Sequence, residues 1–273
     1  MPRYPKPTLI VFGVLGGLLL VNLVLPIANL LTHADWSGWW VSFRERSAAD
    51  ALWISALTSL ISVAIMTFFG VPLGYLLARG HFPLKRFWIS LVFLPMVVPD
   101  LAGGILLLQT FGPFGTIGRF VDAWNIALTN NLAGIVLAQL FVSAPFVIVS
   151  ALAAFGGVDS KLEMTAATLG DSQWHVFRRI ALPLAWPGIA AGITLGWIRA
   201  LGEFGATLIV AYNPHTLPVY MWVQFESRGL TGALPVAFLL VVLAAAAVVV
   251  SMLLSRLTGY ADVVAALGDT REG

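Results

Sequence analysis

The sequence predicts an all-α integral membrane protein with six transmembrane helices. Three observations carry that prediction. Hydrophobic residues make up 59% of the 273-residue chain and charged residues only 10%, against about 25% charged in soluble domains. Apolar runs cover residues 8–31, 51–78, 87–111, 132–155, 186–212 and 232–254, each long enough to cross a hydrocarbon core about 30 Å thick. The basic residues between the runs are also unevenly divided. With the N-terminus inside, ten Lys and Arg fall on the inner side: Arg3, Lys6, Arg79, Lys85, Arg86, Lys161, Arg178, Arg179, Arg256 and Arg271. Only Arg44, Arg46, Arg119 and Arg228 fall outside, which fits the positive-inside rule. The expectation is a single membrane domain over residues 1–273, with both termini in the cytoplasm.

Each span has its own signature. The run behind Arg3 and Lys6, Thr8 to Leu31, exceeds the 7–15 residues of a signal-peptide core, so it reads as a retained first span. Residues 33–50 are polar and carry Trp36, Trp39 and Trp40, as expected at a membrane–water interface. The second span is long and predicts a tilt or a bend near Gly70 and Pro72; a tight basic loop (79–86) follows. Pro95, Pro99, Asp100, Gly103 and Gly104 interrupt the third span. Such breakers are tolerated in lipid only where protein or a water-filled cavity satisfies the freed backbone groups. Residues 112–131 read as a turn-rich outer loop, and the fourth span contains Pro145. Between the fifth and sixth spans, Val219 to Phe225 is apolar enough for a short outer helix. Residues 255–273 form a short tail.

The most polar inner segment is the loop over 156–185. Leu162, Ala166 and Leu169 recur at helical spacing, Asp159 and Ser160 offer an N-cap, and Gly170 stands where such a helix would stop. Small residues there allow close approach of a partner's backbone.

Charges inside the membrane need a reason, because each costs a few kcal/mol on insertion scales. Arg199 and Glu203 lie four residues apart in the fifth span, so they share a face and can pair. Two readings are open: a pair that braces helix packing, or two residues lining a translocation path. Asp100, next to Pro99, either caps the second half of the broken span or lines the same cavity. Gly188, Gly192, Gly196 and Ala200 form a small-residue stripe on the fifth span. It permits close helix packing, within the chain or across a two-fold axis.

Several chemistries are excluded. There is no cysteine, hence no disulfide or thiolate site. No GxxxxGK[ST] is present to cradle nucleotide phosphates. His33, His81, His175 and His215 lie in separate loops without metal-ligand spacing, so no metal site is expected. The basic residues are scattered, so nucleic acid is not a partner. No catalytic constellation is apparent, and the chain is not expected to be an enzyme.

The inner loop reads LEMTAATLGDSQWHVFRRIALP over Leu162 to Pro183. It resembles the EAA loop of ABC importer permeases: E-A-A, three residues, G, nine residues, I-x-L-P. Ala166, Gly170, Ile180, Leu182 and Pro183 are in register. Met164 and Thr165 occupy the places of the Glu and first Ala, with Glu163 one position early. Trp197 to Tyr212, WIRALGEFGATLIVAY, resembles the R-A-x-x-E-F-G-A segment of the molybdate, tungstate and sulfate branch. The segments 69–83, 94–108, 140–155 and 216–237 are similar to that branch as well. The resemblance implies a type I ABC importer permease in the plasma (inner) membrane, carrying a tetrahedral oxyanion. It implies a second copy of the chain, two cytoplasmic ABC ATPase subunits that bind the ATP and magnesium, and an extracytoplasmic substrate-binding protein. No cofactor is implied in this chain. Glu163, Ala166, Ala167, Leu169 and Gly170 would form the coupling helix, with Arg199, Glu203 and Asp100 in the pathway or as an intramembrane pair. A sulfate permease is the alternative within the branch. An ion-gradient transporter would need inverted repeats with matching carboxylates, and Asp100 and Glu203 share no local motif.

Overall fold

The structure is a computed structural model, and it describes residues 6–32, 39, 40, 43 and 45–257. The readings that involve Arg3, His33, Trp36, Arg44, Arg271 and most of the tail lie outside the described residues. Twelve helices are described here: α1 (Lys6–Thr32), α2 (Arg46–Arg79), α3 (Lys85–Val97), α4 (Asp100–Phe111), α5 (Gly118–Asp122), α6 (Leu132–Gly157), α7 (Ser160–Thr168), α8 (Gln173–Val176), α9 (Leu182–Leu201), α10 (Gly205–Val210), α11 (Leu217–Arg228) and α12 (Leu230–Leu257). A π-helical turn, Phe177–Ala181, joins α8 to α9. Among the described residues, five helical stretches are long and apolar enough to cross a membrane, and a sixth span arises if α3 and α4 count as one.

The core is the three-helix contact of α2, α6 and α9. Met66, Val147, Ala151, Phe155, Ala185 and Ile189 are buried there. A polar seam runs beside them. Ser62 Oγ donates to Gln139 Oε1 at 2.8 Å, Gln139 Nε2 to Thr58 Oγ1 at 3.2 Å, and Trp197 Nε1 to Ser59 Oγ at 3.2 Å. Such bonds hold helices together in lipid, where burying apolar area gives no drive and each contributes about 0.6 kcal/mol.

The small-residue stripe of α9 faces α6. A methyl group on Gly188 would lie 2.7 Å from Ala154 Cβ, one on Gly196 would meet Val147 and Met66, and one on Gly192 would overlap Ser150. The stripe is therefore occupied within the chain. Helix α2 continues through Gly70 and Pro72 without a break. Gly74 serves close approach to α6 instead: its added methyl would lie 2.6 Å from Ala151 Cβ.

Two expected spans are divided. The third turns through 112° between α3 and α4. Pro99 disfavours helical geometry at the residue before it, and Val98 has ψ 127°. The fifth span, expected over 186–212, is helical only to Leu201 and resumes as the short α10. In a continuous helix the N–H groups of Ala206 and Thr207 would bond to the carbonyls of Gly202 and Glu203. Here the Glu203 carboxylate takes both, at 2.7 and 3.3 Å, so the backbone turns away at 202–204.

The two resumed segments pack on each other. Gly104 of α4 abuts Ala206 and Ile209, and a methyl on Gly205 would lie 2.8 Å from Asp100 Cβ. At the other end of the chain, α11 packs on α12 and the start of α2 through Leu217, Tyr220, Ala48, Ala51 and Val236. The Leu217 N–H donates to Ser55 Oγ at 2.7 Å. By contrast, the apolar side chains of α1 from Ile10 to Leu25 are exposed, as suits a helix surrounded by lipid.

Candidate functional site

Two places hold the charged residues that the sequence singles out. The first is α7. Asp159 Oδ1 accepts the Lys161 N–H at 3.0 Å and starts the helix. Gly170 ends it with φ +96°, a region costly for any residue with a Cβ. Ala167, Leu169 and Gly170 are exposed, as are Leu162 and Met164, and Leu169 is 84% accessible. Ala166 is buried. Glu163 also turns inward. Arg79, in the last turn of α2, reaches its Oε1 through Nε at 2.9 Å and Nη2 at 2.6 Å, and the Tyr75 hydroxyl donates to Oε2 at 3.1 Å. Arg79 Nη2 also donates to the Val158 carbonyl at 2.7 Å. Two nitrogens on one carboxylate oxygen make a charge-assisted clamp between a membrane-spanning helix and the exposed one. The sequence places Glu163 in the coupling helix but does not reveal its partners Arg79 and Tyr75, 84 and 88 positions away, for which no local motif exists.

The second place is the ion cluster at the two broken spans. Arg199 Nη2 lies 2.6 Å from Asp100 Oδ2, and Nη1 lies 3.1 Å from Glu203 Oε2. Glu203's side chain is fully buried, Arg199's is 28% accessible and Asp100's is 39% accessible. The i,i+4 pairing occurs, although Glu203 stands just past the end of α9. The capping role for Asp100 does not occur. Pro99 holds the cap position, Asp100 is the first helical residue, and no side-chain cap bond forms. Its carboxylate crosses to Arg199 instead, since a bond between two ionised groups is roughly twice as strong as a neutral one. One guanidinium faces two carboxylates, a formal excess of one negative charge.

No group of three or more His, Asp or Glu positioned to hold a metal occurs among the described residues. His175 Nδ1 lies 3.2 Å from Ser172 Oγ and His215 Nδ1 lies 2.7 Å from the Tyr212 carbonyl oxygen, contacts within their own loops.

The described residues thus form a multi-pass helical bundle with broken spans, a polar cluster at the breaks and a short exposed helix clamped to one span. Residues 70–262 match the family described as "Binding-protein-dependent transport system inner membrane component", and the chain belongs to that family. It is 42% identical over 234 residues to a probable molybdenum ABC transporter permease protein of Haloferax volcanii, covering 86% of each chain. It is 39% identical to a molybdate/tungstate transport system permease protein of Thermococcus kodakarensis, covering 86% of this chain and 90% of that one. A probable sulfate transport system permease protein of Chlorokybus atmophyticus is more distant, at 32% identity and 77% and 76% coverage. Among solved structures, the fold is similar to that of a bacterial ABC transporter importing alginate, with TM-score 0.68, 16% identity and 93% and 97% coverage. It is also similar to that of the MetNI methionine ABC transporter in an inward-facing form, with TM-score 0.62, 19% identity and 76% and 94% coverage. The fold is that of an ABC importer permease.

Proposed function

We propose that this chain is the permease subunit of an ATP-driven importer of molybdate or tungstate. The observation that carries the reading is the 42% and 39% identity, over most of both chains, to molybdenum and molybdate/tungstate permeases. In the proposed assembly two copies flank a central path. An extracytoplasmic binding protein delivers the oxyanion, and two cytoplasmic ATPases, which hold the ATP and magnesium, dock on the 162–183 loop. The charge asymmetry supports cytoplasmic termini. The second reading, a sulfate importer, draws on the more distant sulfate permease at 32% identity. ATP can drive the transport cycle only through its different affinity for the inward- and outward-facing states. The exposed Leu162, Met164 and Ala167 of α7, with Leu169 just past its end, would seat in a groove of the ATPase, and that contact would carry the motion to the spans.

Gly170→Leu tests the coupling assignment. Left-handed geometry costs an L-residue about 1–2 kcal/mol, so the end of α7 would re-form and shift its exposed face. The expected result, in vesicles holding the whole complex, is ATP hydrolysis with uptake per ATP reduced at least ~10-fold, the factor that 1.4 kcal/mol sets. Uptake per ATP equal to wild type would remove the assignment.

A further inference from the structure

The cluster at the two broken spans treats its two carboxylates differently. Glu203 is four residues from Arg199, fully buried, and held by the N–H groups of Ala206 and Thr207. It travels with Arg199. Asp100 comes from another span, 99 positions away in sequence. It is the most accessible member of the cluster and makes no cap bond. It is also the second residue after Val98, where the backbone turns through 112° between α3 and α4. Asp100 meets Arg199 through Oδ2 alone, so rotation of its side chain releases the guanidinium while the backbone of α4 stays packed on α10 and Glu203 keeps its place.

We propose that Asp100 is an exchangeable internal anion: its carboxylate occupies the Arg199 guanidinium at rest, and the transported oxyanion replaces it there. This rests on the importer reading above and adds to it a site in the permease itself. The chemistry is shared. A carboxylate and a tetrahedral oxyanion both present adjacent oxygens to the N–H donors of one guanidinium face. With Asp100 in place the excess negative charge repels a dianion. With Asp100 withdrawn, Arg199 and Glu203 form a neutral pair, and the freed Nη2 offers an anion a weak hold from which it can leave again. Anion entry and release of the Asp100 side chain from Arg199 thus become one event.

The test is equilibrium dialysis of labelled molybdate against the purified permease–ATPase complex, with the binding protein omitted. The expected result is binding at least ten times tighter for Asp100→Asn than for wild type, abolished in Asp100→Asn/Arg199→Gln/Glu203→Gln, which leaves no fully buried charge unpaired. Equal binding by wild type and Asp100→Asn in intact complexes overturns the proposal. If Asp100→Asn does not assemble, Asp100→Ser is measured in the same way. Failure of both to assemble also counts against it, because an exchangeable partner cannot be one that folding requires. Wild-type uptake separates the two levels of the account. Uptake of molybdate with no gain of binding in the variant rejects only the exchange, whereas no uptake of any oxyanion rejects the importer reading.

Discussion

Arg199→Gln is expected to destabilise the protein by about 3–5 kcal/mol, the usual cost of removing one partner from a buried ion pair. The cost arises in what remains: Glu203 has no accessible side-chain surface, and Asp100 approaches the same place. Without the guanidinium the buried Glu203 charge has no cation beside it. The double variant Arg199→Gln/Glu203→Gln is expected to recover much of the loss. It leaves no fully buried charge, and the amide oxygen still accepts the Ala206 N–H that Glu203 accepts at 2.7 Å. Thermal unfolding of the two purified variants checks this. Losses that add, with the double variant worse than either single one, would contradict pairing as the role of these residues.

Glu163→Ala is expected to uncouple the machine while leaving its ATPase active. The Arg79–Glu163 clamp is mostly buried, with side-chain accessibilities of 22% and 12%, and a hydrogen bond to a charged group contributes about 1.5–3 kcal/mol. Without it α7 remains tied to the membrane part through the buried Ala166 and the chain on either side. ATPase motion would then swing α7 without moving α2. The expected outcome is uptake per ATP hydrolysed reduced about ten-fold, the factor that 1.4 kcal/mol sets. The exchange Arg79→Glu/Glu163→Arg should restore part of it. Wild-type uptake per ATP in Glu163→Ala would show that force reaches the spans by another route.

Much of the architecture was legible because it depends on local signals. Apolar length marked the spans, and Pro99 marked the sharp turn, since its ring constrains Val98 directly. Asp159 and Gly170 marked both ends of α7 for equally local reasons. The break at 202–204 was hidden. Gly202 alone is a weak signal in an apolar helix, and the decisive interaction is a side chain capturing N–H groups three and four residues on. What the sequence concealed most completely was pairing over distance. Arg79 with Glu163 and Asp100 with Arg199 join residues 84 and 99 positions apart. The facing direction of Glu163 follows from that pairing and not from the helical period. Nor did spacing indicate which helix the Gly188–Gly192–Gly196 stripe would meet; that follows from the complementary Val147, Ser150 and Ala154 on α6.

The central claim is the oxyanion, and uptake measures it directly. Cells lacking their own transporter would express this chain with its cognate ATPase and binding protein, and take up labelled molybdate while unlabelled tungstate or sulfate competes. Strong competition by tungstate and little by sulfate is expected. Sulfate as the best competitor would contradict the molybdate/tungstate assignment, and no uptake of any oxyanion by an assembled complex would contradict the importer reading as a whole.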